Sequence, residues 1–466
     1  MLQLLAAQAE RQATVSVWED LHWADPSSLE FLSLLIEQLP TTKLLLVLTF
    51  RPEFVPPWKL RSHVSQLVLN RLGKKHVETM ITQAAGQQLA PDVIEQIRLK
   101  TDGVPLFVEE LTKSIVENAG EHGRAPLQTI PATLHDALME RLDRLGAAKE
   151  IAQIGATLGR EFSYELLQAI APVSETELSN AVAKLVETEI LYQRGIREQA
   201  RYFFKHALIQ DTAYESLLKS TRQHYHRQIA QVLEERFPDT RATQPEVFAH
   251  HYTEAGLIEQ AIPYWQAAGQ GAIAQSANAE AIRYLTTGLT LLATLPETPE
   301  RIQLELGLQT LLGVPFMTTK GWAAPEVKQA FSRALDLSQH LEETPQIFPA
   351  LFGLTMYYGN RSEYRTAVEL AERCLRLANL AQDSGLRFLA EAARGAFLAQ
   401  MGELAQAREY CEQRLAQYDP ARYSSLSFRF GLDSGIVFGG YSALSAWFLG
   451  YPDHTLRQAQ DTWRGD

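Results

Sequence analysis

From about Thr243 onward the sequence carries helical periodicity only, with small residues recurring at matched positions. That feature commits nearly half of the 466 residues to helices packed on helices. Compare Ala261-Ile-Pro-Tyr-Trp265, Ala281-Ile-Arg-Tyr-Leu285, Ala367-Val-Glu-Leu-Ala371 and Gly402-Glu-Leu-Ala-Gln-Ala407-Arg-Glu-Tyr. Small residues let paired helices approach, and Tyr and Trp fill the space between them, so residues 243–466 are expected to form a stacked helix-pair solenoid. Ala367 and Ala407 are 40 residues apart, longer than the roughly 34-residue tetratricopeptide period, so the repeats are degenerate. The uncharged window from Asp433 to Asp453 is diluted by Gly435, Gly439, Gly440, Gly450, three serines and Pro452, and reads as buried helices rather than a membrane span. Cys374 and Cys411 are too few for a disulfide framework or a zinc cluster, and in apolar helical patterns they read as inert core thiols of a reducing cytosol. Met1-Leu-Gln-Leu-Leu gives way to Glu10 and Arg11 too soon for an export signal, so a cytoplasmic location is expected.

The amino-terminal end has a different grammar. An amphipathic stretch from Leu2 to Arg11 precedes a β-rich run, Thr14-Val-Ser-Val-Trp18, then a helix, then Leu44-Leu-Leu-Val-Leu-Thr49. Short apolar runs separated by a helix predict parallel strands of an α/β sheet. Asp25 can cap that helix, Pro26 suits its first position, and Leu29, Leu32, Leu35, Ile36 and Leu39 form its buried stripe. Beyond Pro56-Pro57 the strand signal ends, and Leu72 to Gly120 reads as short helices with boundaries at Gly86, Pro91 and Gly103-Val-Pro105. A linker from Gly120 to Pro131 leads to further helices, then to Ile190-Leu-Tyr-Gln and Arg201-Tyr-Phe-Phe204 flanking Gly195. Helices followed by a pair of short strands fit a winged-helix domain ending near Phe237.

The sharpest chemistry lies in Val15-Ser-Val-Trp-Glu19-Asp20-Leu-His-Trp-Ala-Asp25. A hydrophobic strand ending in two acids puts carboxylates at the carboxyl edge of a parallel sheet, where ligands of open α/β sheets sit. This matches the Walker B arrangement, in which one carboxylate holds magnesium, usually through water, and the second accepts a proton from the attacking water. On the bare pattern, a strand leading into an ordinary helix cap remains the alternative.

The full string Glu-Asp-Leu-His-Trp-Ala-Asp-Pro-Ser-Ser-Leu resembles the Walker B segment of the STAND class of AAA-like (Orc1-like, AAA_16 type) ATPases found in multidomain bacterial regulators, often beside cyclase or kinase modules. Leu46-Val-Leu-Thr-Phe-Arg51-Pro-Glu looks like the sensor 1 strand, and Thr101-Asp-Gly103-Val-Pro105-Leu-Phe-Val-Glu-Glu-Leu looks like the lid motif. Phe204-Lys-His206-Ala-Leu-Ile-Gln-Asp-Thr-Ala-Tyr-Glu-Ser-Leu-Leu218 is similar to the end of the family's winged helix. The resemblance spans roughly residues 4–237. It implies a mostly α chain: the end of a P-loop ATPase core (1–70), a helical lid (71–120), a winged helix (121–238) and tetratricopeptide-like repeats (243–466).

The resemblance makes Glu19 and Asp20 the catalytic and magnesium-binding acids. It makes Arg51, Gly103, Pro105 and His206 nucleotide contacts, with His206 on the terminal phosphate of bound diphosphate. Read without it, Arg51 is a solvated strand end, Pro105 a helix-opening proline and His206 a core histidine, while His22 and Trp23 are packing residues. The Gly-x-x-x-x-Gly-Lys-Ser/Thr cradle is missing: the only Gly-Lys pair, Gly73-Lys74, is followed by Lys75 and has Val68 where the first glycine belongs. The sequence therefore reads as beginning in the middle of its nucleotide-binding core. ATP or ADP with Mg2+ is expected in the intact parent, with none firmly expected for this chain alone, and an apolar sheet surface and strand edge are expected to be exposed.

Three functions follow. The first is the carboxy-terminal portion of a STAND-type switch, with a protein partner on the repeats and a cyclase or kinase effector in the parent. The second is a complete non-catalytic repeat scaffold binding a protein partner. The third is a winged-helix DNA-binding regulator using Arg194, Arg197, Arg201, Lys205 and Arg222, which the net charge of −12 opposes.

Overall fold

In the computed structural model, the described residues are 2–59, 61–122, 131, 133–195, 200–338, 345–419, 422–423, 430 and 432–464. They form two compact units, Met1–Lys59 with Ile258–Asp466, and Leu60–Leu257.

The first unit opens with α1 (Leu2–Arg11), β1 (Thr14–Trp18), α2 (Pro26–Gln38) and β2 (Leu44–Leu48). The strands pair in parallel, in register from Thr14 with Leu44 to Trp18 with Leu48. As expected, the strand-helix-strand order makes a parallel crossover, since parallel neighbours need an intervening element. One face of the pair packs Leu44, Leu46, Leu48 and Trp18 against Ala9, Leu21, Leu32 and Leu35. The other leaves Val15, Val17, Leu45 and Val47 39–63 % exposed. An apolar outer face on a parallel sheet, which normally carries cover on both sides, is the exposed surface the sequence led us to expect.

The rest of this unit is helical: α14 (Ile258–Ala274), α15 (Asn278–Leu292), α16 (Pro299–Lys320), α17 (Pro325–Ser338), α18 (Phe348–Asn360), α19 (Tyr364–Leu380), α20 (Ser384–Gln400), α21 (Leu404–Leu415), α22 (Ser434–Phe448) and α23 (Pro452–Arg464). Each packs chiefly on its sequence neighbours, as stacked helical pairs require. Ala261, Ala281, Ala367 and Ala407 are all fully buried, in the role their recurrence suggested. Helices approach closely around Phe331: a Cβ on Gly313 or on Gly353 would lie 2.2 Å from its ring, so the phenyl fills the space two missing side chains leave. Cys374 and Cys411 are buried free thiols, and burial pushes both up to about 12. The uncharged window forms α22, with Phe438, Gly439, Ser442, Ala443 and Ala446 buried. No described helix is long and apolar enough to cross a membrane.

The second unit begins with α3 (Lys74–Ala85), α4 (Pro91–Thr101) and α5 (Pro105–His122), packed through Val77, Ile81, Ile97, Val108 and Leu111. Gly86 ends α3 in the left-handed region at φ 63°, and Pro91 opens α4, so both punctuation signals act where they were read. Gly120 lies inside α5, not in a linker, and residues 123–130 of the expected linker lie outside the described residues. Then come α6 (Leu134–Asp143), α7 (Ala147–Leu158), β3 (Glu161–Ser163), α8 (Tyr164–Ile170), α9 (Glu175–Glu187), β4 (Leu191–Arg194) and β5 (Arg201–Phe204). They are followed by α10 (Ala207–Glu215), α11 (Lys219–Arg236), α12 (Pro238–Thr243) and α13 (Pro245–Glu254). The sheet is antiparallel in the order β3-β5-β4. The strand pair was legible, whereas β3, only three residues long, gave no alternation to read.

Candidate functional site

Because β1 and β2 run parallel, their chains leave the sheet at one edge, and the acidic turn is stitched there by Thr49. The Thr49 N–H donates to the Trp18 carbonyl at 2.9 Å, the Leu21 N–H donates to the Thr49 carbonyl at 2.9 Å, and the Asp20 N–H donates to Thr49 Oγ1 at 3.0 Å. Leu21 is sunk in the core beneath. Asp20 takes a left-handed conformation, φ 57° and ψ 44°, which Asp tolerates better than most residues. The result is an exposed Glu19 and a partly exposed Asp20 on a fixed turn. Thr49 carried no role in the sequence reading, because its work is done by backbone and hydroxyl geometry that no side-chain pattern announces.

Arg51 leaves β2 at the same edge, and its guanidinium lies 5.9 Å from the centre of the Trp23 ring. Trp23 is 61 % exposed, which corrects its assignment as a packing residue: its indole is a surface platform for Arg51. His22 does pack inward, with both ring nitrogens buried and lacking a hydrogen-bond partner among the described residues.

Below the turn, Asp25 caps α2 as expected, its Oδ1 accepting from the Ser28 N–H at 2.8 Å and its Oδ2 from Ser28 Oγ at 2.7 Å. Burial opposes ionisation of Asp25, but the Ser28 hydrogen bonds outweigh it and hold the carboxyl below its ordinary value. A second carboxylate reaches the same helix end from a position 253 residues away. Glu280 of α15 accepts from the Ser27 N–H and from Ser27 Oγ, both at 2.7 Å. The helix that begins beneath the acidic turn is thereby clasped to a repeat helix.

Gly103, Pro105 and His206 belong to the second unit. Gly103 has φ +70°, and a Cβ there would lie 2.4 Å from the Leu72 carbonyl oxygen, so glycine alone fits this turn. Pro105 occupies the first position of α5, where its missing N–H leaves no hydrogen bond unmade. α5 carries Glu109, Glu110 and Lys113 toward the region of His206. Lys205 donates to Glu109 at 2.8 Å and to Glu189 at 2.7 Å, and Lys113 donates to the same two carboxylates. The lysines hold Glu109 and Glu189 down to about 2, against the opposing effect of burial. Glu110 is buried against Arg141, which also donates to the Thr188 carbonyl. His206 starts α10 with its Nε2 buried and unpartnered, and burial pushes its imidazole below the ordinary value while Glu110 opposes that shift.

Chemically, carboxylates at the end of β1 suit a hard cation such as Mg2+. Yet among the described residues no group of three or more His, Cys, Asp or Glu side chains is placed to hold a metal ion. Gly73, from the only Gly-Lys pair, is simply the N-cap of α3, so this pair does not belong to a glycine-rich loop that presents amides to a phosphate. The residues present do not by themselves fit a magnesium nucleotide.

The cations proposed for DNA contact are largely engaged within the protein. Arg201 pairs with Glu161 at 2.5 Å, Lys205 is held by two glutamates, and Arg222 donates to the Leu217 carbonyl at 3.1 Å and stacks over Tyr214 at 5.1 Å. Arg197 lies outside the described residues.

No protein-family model matches the chain. It is 27 % identical over 462 residues to the uncharacterized protein R02095 of Rhizobium meliloti (strain 1021), across 97 % of this chain and 44 % of the relative. The chain thus spans less than half the length of that relative. A STAND protein with a tetratricopeptide repeat sensor, PH0952 from Pyrococcus horikoshii, superposes with a TM-score of 0.35 at 10 % identity, covering 99 % of this chain and 82 % of that one. The apo form of RapI superposes with a TM-score of 0.35 at 11 % identity, covering 82 % and 85 %.

Proposed function

We propose that this chain is the carboxy-terminal portion of a STAND-type signal-transduction regulator, and that its repeats hold a protein partner whose binding is coupled to nucleotide state in a longer protein. The observation that carries this is the first unit. A two-stranded parallel sheet ends in Glu19 and Asp20, bears Arg51 on the same edge, leaves its far face apolar and uncovered, and is clasped through Ser27 and Glu280 to the repeat. An uncovered parallel sheet is an incomplete one, and the strand, covering helix and phosphate loop that would complete it are what the Walker B resemblance calls for. In the second unit, the order α7-β3-α8-α9-β4-β5, with β5 between the other two strands, supports the winged-helix reading. The Gly103-Pro105 turn supports the lid reading. The engaged state of Arg201, Lys205 and Arg222 favours an internal role for that domain over DNA contact.

On this reading Glu19 and Asp20 would face the metal of a nucleotide only once a phosphate loop is supplied. The test is calorimetry with Mg-ATP and Mg-ADP on the chain and on a version extended upstream by its own gene. The chain is expected to bind no tighter than about millimolar, and the extended version at least about tenfold tighter, with Glu19→Gln and Asp20→Asn weakening the gain. Submillimolar affinity of the chain alone, or an extended version without gain, overturns the proposal.

A further inference from the structure

In the second unit, where α11 and α13 meet beside α10, three histidine rings gather within 5.6 Å of one another. We propose that His226, His250 and His251 form an acid-operated latch that holds α13 on α10 and α11 and releases it below about pH 6.5.

The geometry admits a fixed number of protons. His226 Nδ1 lies 2.8 Å from His251 Nδ1, and Tyr214 Oη lies 3.0 Å from His226 Nε2. Two facing ring nitrogens at that distance share one hydrogen: one donates and the other accepts. A proton added to the pair goes to an outer Nε2 and adds positive charge to rings already crowded, and protonating both rings would set two N–H groups against each other across the bridge. The His226 ring centre is 5.0 Å from that of His251 and 5.6 Å from that of His250, and those two are 5.4 Å apart. His226 is 1 % and His251 4 % exposed, so the added charge would meet little water in place.

The surrounding groups set the sign. α10 contributes Asp211 and Tyr214. α11 contributes Arg222, above the Tyr214 ring, and Tyr225, whose hydroxyl donates to Glu150 of α7 at 3.1 Å. α13 contributes Glu246 and Glu254. The carboxylates Asp211, Glu246 and Glu254 line a cleft of about 580 Å3 beside the rings, and Glu254 favours a charged His250. Burial outweighs them. It pushes His226 down to about 3, with His250 and Arg222 adding to the effect, and it lowers His250 and, further, His251. His226 and His251 are therefore neutral when α13 is seated and regain an ordinary pKa near 6.5 when it lifts, whereas His250, exposed at the rim of the cleft, meets water in both states and adds little to the difference. Each buried ring then takes up a proton on release, so the seated state is favoured in full above pH 6.5 and loses ground as pH falls below it. The cleft gives the rings their path to water. A buried imidazole that merely fills space would have no ring-nitrogen partner of its own kind at hydrogen-bond distance.

The experiment is amide hydrogen exchange on the full chain at pH 7.5 and 5.5, corrected for intrinsic rates, with α15, which has no histidine, as internal control. The two buried rings, His226 and His251, each contribute about a tenfold change in the seated-to-released ratio over that interval, so protection of α13 is expected to fall by tenfold or more while α15 is unchanged. His226→Gln, which hydrogen-bonds at both ends without titrating, is expected to reduce that drop by about tenfold. Should this variant unseat α13 already at pH 7.5, ring NMR of histidine-labelled native chain decides. Rings that stay neutral until α13 releases support the latch. Rings titrating near pH 6.5 with α13 protection intact, or no loss of α13 protection by pH 5.5, overturn it.

Discussion

The contact between Ser27 and Glu280 makes a quantitative demand. Glu280 is 6 % exposed and accepts from the Ser27 N–H and Oγ at 2.7 Å each, with the Asp25 carboxyl also within its reach. Hydrogen bonds to a charged partner contribute about 1.5–3 kcal/mol apiece, and a carboxylate at a helix start adds about 0.3–1 kcal/mol. Truncating Glu280 admits water to Ser27 and removes a carboxylate from beside Asp25, so the cost falls below the low end of that sum, about 3.3 kcal/mol, and Glu280→Ala should cost about 2–3 kcal/mol. Ser27→Ala removes one of the two bonds and should cost about 1 kcal/mol, with a coupling of about 1 kcal/mol in the double variant. If the clasp is what seats α2 on the repeat, a 2 kcal/mol loss raises the exchange of α2 amides roughly 30-fold, which peptide-resolved hydrogen exchange reads directly. Glu280→Gln, keeping the shape and one acceptor, should fall between native and Ala. An unchanged α2 exchange rate in Glu280→Ala, with denaturation within about 0.5 kcal/mol of native, would refute the reasoning.

Three further outcomes follow from the same structure. Arg141→Ala leaves Glu110 buried without its counter-charge and should cost about 3–5 kcal/mol by denaturant unfolding, whereas the double change Arg141→Met with Glu110→Leu should recover most of the loss. Glu109 and Glu189 ionise near 2 in the folded chain against 4.5 unfolded, so their contribution is complete above pH 4.5 and disappears as pH falls toward 2. Acid unfolding should therefore shift to higher pH in Lys205→Met, by less than the Glu189 value alone suggests because half of that side chain meets solvent. Val15→Lys with Val47→Lys, both on the uncovered sheet face, should raise solubility while moving the melting temperature by no more than about 3 °C.

How much of this was legible depended on the distance over which each feature is written. Elements fixed by periodicity or a local cap were readable. α2 shows its Asp25 cap and Pro26 start within three residues, and its stripe of Leu32, Leu35 and Ile36 is buried as the spacing implies. Repeat alanines were readable for the same reason: a helix pair needs a small residue at the crossing, and Ala261, Ala281, Ala367 and Ala407 supply it. Gly103 was found through its motif, and the structure supplies the physics, a positive φ beside the Leu72 carbonyl. Trp23 misled because an aromatic inside an apolar-looking string is normally core, and its one-turn 3-10 context turned it outward toward Arg51 instead.

What stayed illegible are contacts between residues far apart in the chain, each ordinary in its own neighbourhood. Glu280 reads as a first-turn acid of α15, and only the fold delivers it to Ser27. His226 and His251 sit on two helices among polar neighbours with no metal-ligand spacing, and only the crossing of α11 and α13 brings their nitrogens to 2.8 Å. Lys205 looks like a free cation for phosphate until Glu109 and Glu189 arrive from 96 and 16 residues away. The histidine pair and the Lys205 group share a property the local features lack: each holds ionisable side chains whose charge state depends on the contact staying formed. On the function proposed above, the acidic turn advertises its chemistry in sequence but would need a phosphate loop to perform it. Those two groups advertise nothing, yet they are where pH can shift the balance between seated and released elements, because a closed contact and a changed proton count are there the same event.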